Sequence, residues 1–286
     1  MNDHQPDPSA DRGVPGPGID APMFTARLEH ELDEAVAAFA RRGHLLVALD
    51  FDGVLAPLVD DPTTSRMTDA AVWAVDRLAA LPDVTVAVVS GRDAGTLASL
   101  ADLPDGTLVV ASHGAERGRI DAGSETGLTS EPIDLDDELA ALRAEVLRGT
   151  EEVVAAHPGT HLEAKPASIT LHTRGMSEDA ARAATTELLT GPAGLPGVRV
   201  ISGHDVLEMA VLTVTKGDGV LDLRAETGAD AVLYAGDDRT DEDAFAVLRE
   251  HDLSVKVGDG ETAARFRVGD PDEFAVVLDR LAQLRA

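Results

Sequence analysis

Short apolar runs that stop abruptly at polar clusters constrain this chain more than any other feature. Residues 44–50 (HLLVALD) end in Asp50. Residues 84–89 end in Ser90-Gly91-Arg92, 108–111 in Ser112-His113-Gly114, 231–235 in Gly236-Asp237-Asp238, and 253–257 in Gly258-Asp259-Gly260. Apolar runs without alternation are strands buried on both faces. Because helical stretches separate them, they predict an α/β fold with a parallel sheet covered on both sides. Ligands of such sheets bind beyond the carboxyl ends of the strands, where the polar clusters fall.

Helix signals fit this frame. Residues 25–42 (TARLEHELDEAVAAFARR) carry apolar residues at helical spacing. Thr240 is placed to cap a helix starting at Asp241, and Asp270-Pro271-Asp272-Glu273 supplies a cap, a first-turn proline and a capping-box glutamate. The middle of the chain differs. Helices are expected around 136–156 and over 177–190, the second closed by Gly191-Pro192. Residues 161–174 (HLEAKPASITLHTR) alternate polar and apolar, as a half-exposed antiparallel hairpin does, and 206–211 read as another strand. The expected organisation is therefore a Pro/Gly/Asp-rich disordered tail over 1–24, a core in two parts over 25–117 and 213–286, and an inserted α+β cap over 118–212.

Composition narrows the function. With 24 basic and 52 acidic residues the formal charge is −28, which argues against nucleic acid or an anionic membrane as partner. The same charge repels phosphate esters, so a phosphate site must be made locally positive by a metal, Lys, Arg or backbone N–H groups. There is no cysteine, which excludes disulfides, thiolate metal sites and Cys nucleophiles. No apolar run approaches the roughly 18 residues of a membrane span, and residues 1–22 lack the apolar centre of a signal peptide. A cytoplasmic location is the expectation.

Four constellations carry chemistry. Asp50-Phe51-Asp52-Gly53 sets two carboxylates one residue apart at a strand end, where one can attack phosphorus and the other protonate the leaving oxygen. Taken alone it is equally well ordinary turn chemistry. Gly236-Asp237-Asp238-Arg239-Thr240-Asp241-Glu242 holds more acids than a helix cap needs, and a bound cation would relieve their repulsion. Ser90-Gly91-Arg92 and Lys216-Gly217 offer a hydroxyl, backbone N–H groups and an ammonium for phosphate oxygens. The nine histidines are scattered with no zinc-binding helix motif.

The order of these four motifs resembles that of the haloacid-dehalogenase-like (HAD) phosphohydrolases, in which a Rossmann-like parallel-sheet core carries an inserted α+β cap. Within that superfamily the strings LDFDGVLAP, SGR, SHGAE, HLEAK with the later HTR, the LE strand before KG, and GDDRTDEDAF resemble the trehalose-6-phosphate phosphatases from about residue 25 onward. The resemblance implies hydrolysis of trehalose 6-phosphate with Asp50 as nucleophile and Asp52 as general acid/base. It implies Mg²⁺ held by Asp50, the Asp52 carbonyl and Asp237, with Asp241 nearby, and a phosphoryl group held by Ser90 and Lys216. In the cap it implies Glu163, Lys165 and Glu208 as contacts to sugar hydroxyls. Arg92 and His113 are candidate lining of the substrate entrance, whereas His161, Ser168 and Thr170 read as the solvated face of the cap. Two departures stand out: Val54 replaces a usual Thr, and Glu208-Met209-Ala210-Val211 lacks the usual basic residue and proline. The alternatives are a phosphatase of sucrose or hexose phosphate, a phosphomutase, and a non-catalytic regulatory domain that binds a sugar phosphate. Association with a trehalose-6-phosphate synthase stays open.

Overall fold

The computed structural model describes residues 29–286 except positions 132, 134 and 204. The tail expected over 1–24 and the start of the first expected helix lie outside these residues. In chain order the first elements are α1 (His30–Ala40), β1 (Leu45–Leu49), α2 (Asp69–Ala79), β2 (Val84–Val89), α3 (Ala94–Leu100), β3 (Leu108–Ala111), β4 (Glu116–Ile120) and β5 (Leu128–Glu131). There follow α4 (Asp137–Ala156), β6 (His161–Ala164), β7 (Ser168–His172), α5 (Glu178–Thr190), β8 (Arg199–Gly203) and β9 (Val206–Ala210). The last are α6 (Lys216–Thr227), β10 (Ala231–Gly236), α7 (Glu242–Val247), β11 (Leu253–Val257), β12 (Phe266–Val268) and α8 (Pro271–Arg285).

The large sheet has the order β12-β11-β10-β1-β2-β3-β4-β5 and is parallel from β12 through β3. Alternate residues of its strands feed two separate cores. Leu45, Val47 and Leu49 point to the layer of α1, α2, α3 and α8, whereas Leu46 and Ala48 point to that of α6 and α7. This double burial is why the runs are continuously apolar. Strand order reverses at β1, which lies between β10 and β2. The crevice beyond the carboxyl ends of these strands is thereby opened.

The second sheet, β6-β7-β9-β8, is wholly antiparallel. Ile169, Leu171, Leu207 and Met209 on one face pack against Val146 and Val153 of α4 and Ala184 and Leu188 of α5. Its opposite face carries Ser168, Thr170 and Glu208.

Three expectations change. The boundary placed at 117/118 falls inside β4, because β4 and β5 pair antiparallel onto β3 and extend the large sheet. Polar alternation in these strands suits the edge of either sheet, so their sequence does not choose between them. Thr240 does not cap α7: its amide and hydroxyl both go to Asp238 Oδ1, at 2.8 Å each. Ser168 and Thr170 are buried rather than solvated, because the face that bears them lies against the core. His161 is exposed.

Candidate active site

Asp50 follows β1 and is almost wholly buried. Its Oδ1 accepts from the Phe51 amide at 2.7 Å and its Oδ2 from Lys216 Nζ at 2.7 Å. Burial pushes the Asp50 carboxyl well above its ordinary range despite Lys216, and Asp241, Asp237 and Asp238 push the same way. Lys216 opens α6, whose N-cap is Thr215 in a capping box with Asp218. Burial works against the ammonium, but Asp241, Asp50 and Asp238 outweigh it and hold its pKa well above the ordinary value.

The acid cluster after β10 is an ordered loop. Asp241 is completely buried and all its acceptor capacity is taken. Its Oδ1 receives Lys216 Nζ at 2.8 Å and the Tyr234 hydroxyl at 2.7 Å, and its Oδ2 receives the amides of Asp237 and Asp238 at 2.9 Å each. Asp241 therefore folds the loop, and Asp237 and Asp238 are left to face the crevice. The Asp237 carboxylate has no hydrogen-bond partner among the described residues. Burial, then Asp241 and Asp238, raise its pKa to about 7. Burial acts on Asp238 too but is outweighed by Lys216 and by hydrogen bonds from Thr240 and Asp241, which bring it to about 2.

Oxygens of Asp50, Asp237, Asp238 and Asp241 lie within 4.8 Å of one another. Against these four carboxylates stand Lys216 and Lys256, the latter bonded to the Asp237 carbonyl. The all-oxygen donor set, the negative balance and the partnerless Asp237 fit a hard divalent cation. Two glycines make the approach of these segments possible. Gly53 has φ +74°, and a Cβ there would lie 2.2 Å from the Asp237 carboxyl. A Cβ on Gly91 would lie 2.4 Å from the His113 ring.

The remaining predicted residues are placed as follows. Asp52 forms a two-pronged ion pair with Arg92, Nε to Oδ2 at 2.6 Å and Nη2 to Oδ1 at 2.7 Å, and accepts from the Ser65 hydroxyl at 2.9 Å. Arg92 thus engages Asp52, the second carboxylate of the pair. Ser90, buried after β2, accepts from the Arg92 amide at 3.2 Å. His113 sits at the turn after β3 with φ 56°. Burial, reinforced by Lys216, lowers its pKa to about 4.

The antiparallel sheet's segment meets the large sheet's loops beside these groups. Lys165 Nζ lies 3.4 Å from the Gly91 carbonyl and 3.3 Å from Glu208 Oε2. Glu208 Oε1 accepts from the Ser168 hydroxyl at 2.6 Å, and His113 Nε2 is 3.7 Å from Glu208 Oε2. Glu163 is bonded to His172 at 2.8 Å, a contact that lowers its pKa. The departures are absorbed by packing: Val54 lies in the core beside the large sheet, and Met209 and Val211 in the core behind the second sheet.

Tyr234, Lys256 and Ser65 belong to this constellation and were not singled out by their sequence. Lys256 did leave a signal, a lone charge inside the apolar run LSVKV. Tyr234, the only tyrosine of the chain, sits in a run whose other members are apolar or glycine. Asp238 was seen as part of the acid cluster but not as a metal ligand.

A family model described as trehalose-phosphatase matches residues 48–272. A bifunctional trehalose-6-phosphate synthase/phosphatase of Thermoproteus tenax is 32% identical over 268 residues, covering 88% of this chain and 34% of that protein. A probable trehalose-phosphate phosphatase 9 of Oryza sativa subsp. japonica is 30% identical over 278 residues, covering 88% of this chain and 74% of that one. The crystal structure of a trehalose-6-phosphate phosphatase related protein superimposes with a TM-score of 0.66 at 26% identity, covering 84% of this chain and 97% of that one. The chain spans 34% of the length of the Thermoproteus relative, so the alignment says nothing of that protein's remainder. No helix among the described residues is long and apolar enough to cross a membrane.

Proposed function

The chain belongs to the trehalose-phosphatase family, and from that premise we propose that it hydrolyses trehalose 6-phosphate to trehalose and inorganic phosphate. The observation that carries this reading is the meeting of Asp50, Lys216 and the acid cluster at the ends of β1 and β10, with Lys165 and Glu208 of the second sheet's unit reaching Gly91 and His113 beside them. Mg²⁺ is the proposed cofactor, held by Asp50, Asp237 and Asp238 with the Asp52 carbonyl. When bound, it supplies positive charge against the phosphoryl oxygens. Asp241 acts through the loop that presents Asp237 and Asp238.

Asp50 attacks phosphorus and the bond to the sugar oxygen breaks, leaving an aspartyl-phosphate. Asp52 donates the proton that the departing sugar oxygen needs. A water then attacks phosphorus, gives its proton to the Asp52 carboxylate, and Asp50 is released with inorganic phosphate. Arg92 holds Asp52 through both carboxylate oxygens, so the acid must exchange at least one of these bonds for the sugar oxygen. Lys216 aligns Asp50 and favours its charged form against the effect of burial, and with Ser90 it balances the transferring phosphoryl group. The cap seals this space from water while phosphorus is transferred. Glu163, Lys165 and Glu208 give the sugar acceptors and a donor.

Phosphate release from trehalose 6-phosphate, with and without Mg²⁺, beside sucrose 6-phosphate and glucose 6-phosphate, tests the proposal. Metal-dependent release from the trehalose ester is the expected result. Release from another ester alone keeps the chemistry and discards the substrate. No release from folded, metal-loaded protein overturns the enzyme reading.

A further inference from the structure

Register places Thr170 of β7 directly opposite Glu163 of β6 on one side and Glu208 of β9 on the other. Cross-strand partners point to the same face, so Glu163, Thr170 and Glu208 form one row across three adjacent strands, turned toward the catalytic core. The two carboxylates of the row have partners within the protein. Glu163 is bonded to His172, and Glu208 to Ser168 and Lys165. The Thr170 hydroxyl is different. Thr170 is 2% exposed, and its Oγ1 is buried with no hydrogen-bond partner among the described residues.

A buried hydroxyl without a partner is costly, and valine at the same place would keep the β-branched shape and strand preference without that cost. A threonine here calls for something that bonds it, and its cross-strand partner Glu208 lines, with Ser168, Ser112 and His113, a cavity where the second sheet meets the core. We propose that Thr170 is a specificity residue whose hydroxyl bonds a sugar hydroxyl of the substrate between Glu163 and Glu208. This rests on the sugar-phosphate reading above and adds to it a contact that charge alone does not identify. The hydroxyl both donates and accepts, so it complements the acceptor-only carboxylates on either side. It stands apart from the phosphoryl site, so its contribution falls on sugar binding and not on the chemistry at phosphorus.

The test is steady-state kinetics of Thr170→Val and Thr170→Ser on trehalose 6-phosphate and on p-nitrophenyl phosphate, with the unfolding midpoint of each variant. For Thr170→Val the KM for the disaccharide phosphate should rise about tenfold at unchanged kcat, the loss of one neutral hydrogen bond. Turnover of the aryl phosphate should stay within twofold, and Thr170→Ser should stay within twofold of the wild type on both substrates. A Val variant with wild-type KM, or one equally impaired on both esters, overturns the inference, as does a Ser variant as impaired as Val. A wild-type protein active on the aryl phosphate but not on the disaccharide phosphate refutes the substrate reading itself, a failure distinct from the others.

Discussion

His113→Asn isolates one term in the acid stability of the protein. Asparagine tolerates the left-handed backbone that residue 113 adopts at φ 56°, so the substitution removes the imidazole with little backbone strain. In the folded protein the ring is enclosed between Gly91 and Glu208, and burial together with Lys216 lowers its pKa to about 4 from the ordinary 6.5. Lys165 acts in the same direction, while Glu208 and Asp238 oppose it. Above pH 6.5 the ring is neutral in both folded and unfolded chains and contributes nothing to pH dependence. As pH falls below 6.5 the unfolded chain takes up a proton that the folded chain refuses, and stability declines until about pH 4. Between pH 7 and pH 4.5 this amounts to roughly 2–3 kcal/mol. Urea unfolding of both proteins at a series of pH values, in the absence of divalent metal, measures it. The variant loses packing against Gly91 at every pH, so the informative quantity is the change in the difference between the two proteins. Wild type should lose roughly 2–3 kcal/mol more than the variant on going from pH 7 to pH 4.5. Stability curves that stay parallel over that range would refute the reasoning.

Three further outcomes follow from the site. Asp50→Asn keeps the shape and can still accept from Lys216, so phosphate release should fall on the order of 10⁴-fold while circular dichroism is unchanged; wild-type turnover would end the proposed mechanism. Glu163→Ala should lower kcat/KM for trehalose 6-phosphate roughly tenfold or more with little effect on an aryl phosphate, and equal losses on both would remove Glu163 from the sugar contacts. Gly53→Ala forces a Cβ to within 2.2 Å of the Asp237 carboxyl at φ +74°. It should cost about 1–2 kcal/mol of stability and weaken Mg²⁺ binding by calorimetry; wild-type values for both would show that the approach of Gly53 to Asp237 is not needed.

The chain by itself determined where the chemistry lies along it. Strands buried on both faces must be apolar throughout, so the points where polarity resumes mark their carboxyl ends, and Asp50, Ser90 and Asp237 are found there. The helix start at Asp270 was legible because capping is a local bond between a side chain and an amide three residues on. What the tertiary structure decided involves partners far apart in the chain. Lys216 and Asp50 are 166 positions apart, and they meet because β1 is inserted between β10 and β2. The pairing of Arg92 with Asp52, the saturation of Asp241 by four donors, and the membership of β4 and β5 in the large sheet are likewise absent from local pattern. So is the burial of Thr170. Alternation tells that Ser168 and Thr170 share a face, but a polar face against solvent and a polar face against a second polar surface have the same periodicity. Only the packing of the second sheet in the tertiary structure decides between them.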